Sequence, residues 1–230
     1  MSNLCIIPAR AGSKRIPRKN IKDFLGKPII AYSIETALKS GLFDEVMVST
    51  DDEEIAKISK QYGASVPFFR SNEAANDEAP LADVIEEVKL LYGQKNKDFT
   101  NICCILPTAP LITVDLLKEG LNHLKNNPQL CSTKPIVRFS YPIQRALIFK
   151  GDKSEVTMVN PEHKLTRSQD LTPTFHDAGC FYWMKFEDGL KKEPKGGFEI
   201  KPIFVQDIDN NEDWDIAEFK YKFLNSAKRN

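Results

Sequence analysis

Residues 4–20 read LCIIPARAGSKRIPRKN, in which a short apolar run is followed directly by a loop rich in cations. Leu4 to Ile7 suits a buried strand, Pro8 ends its hydrogen bonding, and Gly12 lets the backbone turn tightly with exposed N–H groups. The cations of the loop are Arg10, Lys14, Arg15, Arg18 and Lys19. Because open α/β sheets bind ligands beyond the carboxyl ends of their strands, this position predicts a polyphosphate site. The alternative is a solvated basic face, which a charge run on its own would favour.

Alternating strand and helix patterns continue from this loop through residue 125. The predicted strands are 45–49, 66–69 and 101–106. The predicted helices are 28–40, a helix running from the capping-box spacing of 50–53 to about Tyr62, 80–91 and 113–125. Such alternation predicts an α/β fold in which helices cover both faces of a parallel sheet.

The pattern changes from Cys131 to about Phe175, where the segments become shorter, less helical and rich in Pro, Phe and polar residues. We interpret 131–175 as an inserted, β-rich arm. Beyond it the sequence predicts a return strand at 179–184, a further strand at 202–205 and a closing helix at 212–225. The chain is therefore expected to form one domain over residues 1–230, with the arm as an insertion.

Composition excludes several classes of protein. With 230 residues and 41% hydrophobic content, the chain can bury a full core in one domain. Lys plus Arg and Asp plus Glu both number 32, so no global field favours a nucleic acid or an anionic membrane as partner. The five cysteines show no CxxC pairing, which suits reduced thiols. No leader pattern and no apolar run of about 18 residues is found, so we expect a cytoplasmic protein.

A second constellation is Gln206-Asp207-Ile208-Asp209, which follows the predicted strand 202–205. In an extended chain both carboxylates would project from the same face, about 6 to 7 Å apart. Magnesium uses one or two protein carboxylates and completes its shell with water and substrate phosphates. Asp207 and Asp209 are therefore candidate ligands of Mg²⁺. The alternative is that these acids only precede a helix and favour its N-terminus.

The basic loop lacks both the GxxxxGK[ST] spacing of the Walker loop and the GxGxxG of dinucleotide-binding folds. Residues 7–20 instead resemble the IPAR-x-GSK-x-IP-x-KN signature of the sugar cytidylyltransferases, the family that activates sialic acid and related keto acids with CTP. The resemblance implies a Rossmann-like, three-layer α/β/α nucleotidyltransferase fold of the glycosyltransferase-A-like kind. It also implies transfer of CMP from CTP to the anomeric hydroxyl of a nonulosonic acid, with release of pyrophosphate.

The resemblance extends to the nucleotide site and the metal site. Residues 70–77 partly match the R-P-x-x-L-A-x-D segment by which the family reads the base, and 207–213 match its metal-binding I-D-x-x-x-D element. A surface Arg70 paired with Glu73 is the alternative for the first segment. Catalytic roles are implied for Lys19, Arg10 and Asp209. The implied CTP contacts are Arg10, Ser13, Lys14, Arg15, Lys19, Asn20, Arg70 and Asp77.

Two further segments, 166–171 (TRSQDL) and 176–179 (HDAG), resemble one branch of the family, the pseudaminic acid cytidylyltransferases. Residues 106–110 read LPTAP where relatives have QPTSP, so the Gln that contacts sialic acid is missing. A different acid, pseudaminic acid, therefore fits better. The implied sugar contacts are Arg167, Gln169, His176 and Asp177. A turn histidine bonded to Asp177 or to the backbone is the alternative for His176.

The resemblance also implies a homodimer, because the family's inserted segment reaches a second subunit and completes its sugar pocket. Several alternatives stay open at this point. The acid could be legionaminic acid, sialic acid or a shorter keto-deoxy acid. The basic loop could instead serve a phosphosugar isomerase or kinase, or it could be the nucleic-acid contact of an α/β binding protein.

Overall fold

The computed structural model describes residues 2–71, 80–152 and 154–226. The helices in these residues are α1 Ile29–Ser40, α2 Glu53–Gln61, α3 Leu81–Gln94, α4 Val114–Asn126 and α5 Asn211–Ser226. The strands are β1 Asn3–Pro8, β2 Asp23–Phe24, β3 Lys27–Pro28, β4 Glu45–Ser49, β5 Asn101–Ile105, β6 Ser132–Arg138, β7 Leu147–Lys150, β8 Glu155–Met158, β9 Phe175–Asp177, β10 Phe181–Lys185 and β11 Lys195–Glu199.

The main sheet has the strand order β11-β6-β10-β5-β1-β4, and β9 also pairs with β6. β1 runs parallel to both β4 and β5, whereas β10 runs antiparallel to both β5 and β6. The sheet is therefore mixed: β4, β1, β5, β6 and β11 run in one direction, as expected for a parallel sheet, whereas β9 and β10 run against them. β9 and β10 are separated by three residues and follow one another along β6 in the same direction, so both are antiparallel to it.

The central strands bury both of their faces, which gives the predicted three layers. Along β1, Cys5 and Ile7 belong to the core cluster beneath α1 and α4. Leu4 and Ile6 belong to a second cluster that includes Ile85 of α3 on the opposite face. This alternation follows from the two-residue period of a strand. All five cysteines are buried free thiols, as expected from the absence of CxxC pairing.

Two predicted strands are wrong. Residues 66–69 form no strand, and Ser65, just before them, forms a single bridge with Met47. Residues 202–205 form a 3-10 turn over Pro202–Phe204, since proline at the start of such a turn lacks the N–H that a strand ladder needs. The strand of this region is β11, just before this turn, where the pair Gly196-Gly197 is typical of a turn and hides the strand from a sequence pattern.

The arm is shorter than expected. Its predicted first part, β6, lies within the main sheet between β10 and β11. The chain leaves the sheet after Arg138, forms the separate β7–β8 hairpin and returns at β9.

Helix α2 also starts differently from expectation. Its N-cap is Asp52, whose side chain accepts a hydrogen bond from Ile55 N.

A third core cluster fixes the C-terminal helix. Phe24 of β2 makes edge-to-face contacts with Trp214 and Tyr221 of α5, with ring centroids 5.5 Å and 5.8 Å away. Such pairs stabilise beyond the area that they bury. Ile208, just before α5, is buried in the same cluster. The cluster therefore holds residues 207–209 close to the basic loop.

None of the described helices combines the length and the hydropathy that crossing a membrane requires.

Two helical glycines give a paired test of the packing. A Cβ at Gly120 of α4 would lie 2.8 Å from Trp183 Cδ1 and 3.0 Å from Phe181 Cε2, whereas one at Gly93 of α3 would have no atom of the described residues within 4 Å. We expect Gly120→Ala to lower the free energy of unfolding by about 1–3 kcal/mol, because the core there cannot make room. Gly93→Ala should raise it by about 0.5–1 kcal/mol through helix propensity. Urea denaturation measures both, and a Gly120→Ala protein as stable as Gly93→Ala would contradict the packing described.

Candidate functional site

The basic loop lines a cleft of about 590 Å³ at the carboxyl ends of β1 and β5. Its other wall is apolar and comes from Leu81 and Val84 of α3 and from Leu106 and Pro107 after β5. The structure brings seven of the eight expected nucleotide contacts together in this cleft, while the eighth, Asp77, lies outside the described residues. The seven are Arg10, Ser13, Lys14, Arg15, Lys19, Asn20 and Arg70. One cationic wall and one apolar wall suit the phosphates and the base of a nucleotide.

Backbone contacts hold the loop in place. Ala9 N donates to Ser49 O at 2.9 Å, which extends the pairing of β1 with β4 by one residue. Ala11 N donates to Asp51 Oδ1 at 3.3 Å. The buried Asn20 donates from Nδ2 to Arg10 O at 2.9 Å, so its amide nitrogen closes the loop upon itself. The loop is therefore tied both to β4 and to its own far end.

Lys19 links the loop to the acidic segment 207–209. Its Nζ donates to Ile208 O at 2.6 Å and lies 4.0 Å from Asp209 Oδ1. Burial lowers the pKa of Lys19, and the opposing carboxylates of Asp209 and Asp207 offset only part of that effect. A partly desolvated ammonium interacts more strongly with an incoming phosphate than a fully hydrated one.

Asp209 forms its shortest ion pair with Arg15, at 2.7 Å between Nη1 and Oδ2. The Arg15 side chain is 70% exposed, so this pair adds little stability and a ligand can replace it. Asp207 is exposed and Asp209 half-buried on either side of the buried Ile208. The burial of Ile208 therefore fixes the positions of the two carboxylates. The strand predicted at 202–205 is not present and does not position them.

Asp213 completes this segment as a helix cap. Its Oδ2 accepts from Asp209 N at 3.0 Å and from Asn210 N at 3.1 Å, and its own N donates to Asn210 Oδ1 at 3.0 Å. This reciprocal arrangement is a capping box at the start of α5. The last Asp of the I-D-x-x-x-D element therefore orients the backbone of Asp209 in this chain.

The acidic pair fits a magnesium ion that also binds substrate. Within the described ranges there is no group of three or more His, Cys, Asp or Glu side chains arranged to hold a metal ion. Asp207 and Asp209 alone could not form a complete protein cage. Magnesium accepts one or two carboxylates when water and phosphates supply the remaining oxygens, and the cationic cleft is next to them.

Arg70 is only 8% exposed, so the surface role considered for it is wrong. Its Nε donates to Ser49 Oγ at 3.1 Å and its Nη2 to Ser49 O at 2.6 Å, and burial lowers its pKa. The partner Glu73 of the alternative interpretation lies outside the described residues. A guanidinium held rigidly at the wall of a cleft is suited to reading a planar ligand.

The four expected sugar contacts do not line this cleft. Gln169 lines a separate cavity of about 420 Å³ at the base of the arm, and Arg167 is exposed just before it in sequence. His176 Nδ1 lies 2.8 Å from Asp177 O, which is the contact of the alternative interpretation. The Asp177 carboxylate accepts from Lys134 Nζ at 2.7 Å and from Gly179 N at 2.8 Å.

Three residues at the end of β4 and just after it belong to the site, although no sequence motif marks them. Ser49, Asp51 and Asp52 contact Arg70, Ala11 and Arg18, respectively. Arg18 is the one cation of the basic loop that does not line the cleft. Their position is a signal, since Ser49 ends a strand that neighbours β1, but the pattern predicts only a strand end at Ser49 and a helix start at 50–53.

Comparison with known proteins gives consistent results. The sequence profile of the cytidylyltransferase family matches residues 4–187, which contain the basic loop but not 207–209. Pseudaminic acid cytidylyltransferase of Campylobacter jejuni serotype O:2 is 44% identical over 228 residues, covering 96% of this chain and 97% of that protein. CMP-N,N'-diacetyllegionaminic acid synthase of Legionella pneumophila is 36% identical over 232 residues and covers 95% of each chain.

Among solved structures, CMP:2-keto-3-deoxy-manno-octonic acid synthetase in complex with CTP matches with a TM-score of 0.70. The alignment covers 98% of this chain and all of that one, at 17% identity. At this identity the likeness shows the fold alone, and it confirms the predicted α/β nucleotidyltransferase architecture.

Proposed function

The chain belongs to the cytidylyltransferase family and is a nucleotidyltransferase, and on that premise we propose that it transfers CMP from CTP to the anomeric hydroxyl of pseudaminic acid and releases pyrophosphate. The observation that carries the proposal is the 44% identity with a pseudaminic acid cytidylyltransferase over nearly the full length of both chains. The proposed enzyme is cytoplasmic and uses neither a nucleic acid nor a membrane as partner.

In such a reaction the protein mainly positions the reactants and neutralises charge. Arg10, Ser13, Lys14 and Arg15 hold the triphosphate from the loop side of the cleft. Lys19 is anchored to Ile208 O and can meet the α-phosphate, where charge builds up as the pyrophosphate departs. Arg10 adds a second positive charge at the same phosphates. The proposal therefore assigns transition-state stabilisation to Lys19 and Arg10.

Asp207 and Asp209 would hold Mg²⁺ at the edge of the cleft, and Asp213 orients Asp209 through its backbone. The ion, when bound, neutralises phosphate charge and acidifies the attacking hydroxyl. Arg15 pairs with Asp209 at 2.7 Å through a side chain that is 70% exposed, and we propose that Arg15 transfers to the triphosphate when CTP binds. In this proposal Mg²⁺ would take the place of Arg15 beside Asp209, so a positive charge faces the Asp209 carboxylate before and after CTP binds.

The base and ribose are assigned to the other wall. Arg70, fixed by Ser49, reads the cytosine, Asn20 lies at the ribose, and Asp77 is kept as a proposed contact. Arg70→Ala should raise KM for CTP by about tenfold or more, because a charged hydrogen-bond donor to a buried acceptor is lost. KM for the sugar should change far less. Steady-state kinetics with each substrate varied in turn measures both, and equal losses would contradict base reading by Arg70.

The sugar contacts are proposed to act in a dimer. Arg167, Gln169, His176 and Asp177 lie away from the cleft of their own chain, on or beside the arm. A second copy could bring its arm to the open side of the cleft. Arg167 is the proposed partner of the substrate carboxylate, since a guanidinium binds a carboxylate with two parallel hydrogen bonds.

The arm carries the apolar surface that such a dimer needs. On the β7–β8 hairpin, Phe149 lies opposite Val156 and on the same face as Leu147. Their exposed fractions are 63%, 58% and 60%. A cluster of large exposed apolar side chains on a projecting hairpin marks an interaction surface.

A charge on this surface should separate the subunits. We expect Phe149→Asp to halve the molecular mass in analytical ultracentrifugation at micromolar concentration, because burying an unpaired carboxylate is costly. Leu90→Asp on α3 is the matched control, since Leu90 is also 63% exposed. A dimer that survives Phe149→Asp, or a wild-type monomer, would exclude the arm as the interface.

A panel of acids tests the proposed substrate. Purified protein with CTP and Mg²⁺ is offered pseudaminic, legionaminic and sialic acids, and kcat/KM is compared. The second candidate is legionaminic acid, which the 36% identity with the Legionella enzyme supports. Preference for pseudaminic acid would support the proposal, whereas preference for another acid would keep the reaction and overturn the interpretation of 106–110 and 176–179.

A further inference from the structure

We propose that Arg18 is a positioning residue for cytidylyl transfer. Its two-pronged ion pair with Asp52 fixes the turn that presents Lys19 and Asn20 to the cleft. The inference rests on the proposed function and deepens it. Arg18 itself does not line the cleft. Its effect on the reaction is therefore exerted through its neighbours.

The backbone of Arg18 needs an external restraint. It adopts φ 54° and ψ 32°, the left-handed region that side-chain-bearing residues avoid. A residue held in this region persists when surrounding contacts over-determine it. Arg18 O accepts hydrogen bonds from Ile21 N and from Lys22 N, both at 3.0 Å. The left-handed residue thus begins the 3-10 turn Lys19–Ile21.

The side chain supplies the restraint. Arg18 Nη1 donates to Asp52 Oδ2 at 2.6 Å and Nη2 donates to Oδ1 at 3.1 Å, a paired geometry that fixes direction as well as distance. Glu54 accepts from the same guanidinium. The Asp52 side chain is 17% exposed and is itself fixed, because Oδ1 also accepts from Ile55 N at 2.8 Å. Arg18 is therefore fixed to the N-terminus of α2, and we call its ion pair with Asp52 the clamp.

The turn carries two groups of the proposed site. Lys19 reaches Ile208 O beside the acidic segment, and Asn20 closes the loop on Arg10 O. Both contacts depend on where the turn after Arg18 starts. Loosening Arg18 from Asp52 would let the Lys19 ammonium shift, and misplacement by about 1 Å can cost about a hundredfold in rate.

Two substitutions separate the clamp from other effects. Arg18→Gly removes the guanidinium while glycine still adopts φ 54° without strain. Asp52→Asn keeps a good helix cap for α2 but removes the charge that binds Arg18. The two changes shift net charge in opposite directions. If Arg18 merely attracted phosphate through its charge, Asp52→Asn would strengthen phosphate binding, whereas the clamp requires both variants to weaken it.

The experiment compares wild type, both single variants, the double variant and Glu54→Gln, whose side chain is 64% exposed. We expect each single variant to lower kcat by between about tenfold and a hundredfold. The double variant should lose no more than the worse single one, because both remove one ion pair. Glu54→Gln should stay within about twofold. Full activity in Arg18→Gly, or losses that multiply in the double variant, would overturn the proposal.

Calorimetric binding of inorganic pyrophosphate to the same proteins tests the clamp without turnover. Both single variants should bind pyrophosphate more weakly than wild type, and tighter binding by Asp52→Asn would overturn the clamp. A wild-type protein that releases no pyrophosphate from CTP would refute the proposed function instead. The two failures are therefore distinguishable.

Discussion

Asp209→Asn is expected to lower kcat by at least about 10² to 10³, the loss that follows removal of one group stabilising developing charge. Asp209 is the point where the acidic segment meets the basic loop, 2.7 Å from Arg15 and 4.0 Å from Lys19. Asparagine preserves the shape and the backbone contact with Asp213. It removes the negative charge that would bind magnesium and orient both cations.

The fold should survive this change. The ion pair between Arg15 and Asp209 is largely exposed, so its loss should move the thermal midpoint by no more than a few degrees. Asp215→Asn is the matched control, because Asp215 is an exposed carboxylate on helix α5, which begins two residues after Asp209. Kinetics at saturating CTP and acid, with thermal unfolding in parallel, measures both quantities. Unchanged activity in Asp209→Asn would refute the metal-site assignment.

The second large effect is expected for Lys19→Met, which should also lower kcat by about 10² to 10³. The Lys19 side chain is 22% exposed, and its ammonium is held by Ile208 O at 2.6 Å. Methionine keeps the unbranched stem and removes the only charge of this side chain. The loss should be mainly in kcat, since Lys19 is proposed to act at the α-phosphate as charge develops.

Two further variants make this result specific. Lys57→Met removes an exposed lysine of α2 and should leave kcat unchanged. Lys19→Arg keeps the charge but replaces a compact ammonium by a planar fork, so it should recover only part of the activity. A Lys19→Met protein with wild-type kcat and a raised KM would show that Lys19 only binds substrate.

Sequence predicts best those helices and strands whose apolar residues recur regularly and whose ends are marked by proline, glycine or a capping residue. β1 and the loop after it were readable because an apolar run ends at a proline and is followed by glycine. β11 could not be predicted from sequence, because its two glycines are required by the lack of room for a Cβ in the folded chain. A Cβ at Gly196 would lie 2.3 Å from Leu130 Cδ1, and one at Gly197 would lie 3.1 Å from Ile136 Cγ2. Those neighbours are distant in sequence, so no local pattern reveals them.

The candidate site divides in the same way. The loop cations are apparent from sequence because all five fall between residues 10 and 19, and the structure brings all but Arg18 into the cleft. The pair Asp207 and Asp209 was found by spacing, but the reason for its position is the burial of Ile208 against Phe24 and Trp214. The proposed sugar contacts lie apart from the cleft, because Arg167 and Gln169 are on the arm and His176 and Asp177 on β9 beside it, and the proposed partner of the arm is a second chain.

The most direct test of the account is the stoichiometry of the reaction. Protein, CTP, Mg²⁺ and pseudaminic acid are mixed, and pyrophosphate and the CMP-linked acid are quantified together over time. The account predicts equal amounts of both products, with none formed when any one component is omitted. Pyrophosphate released without the acid would reveal a hydrolase, and no product from folded protein with any nonulosonic acid would contradict cytidylyl transfer.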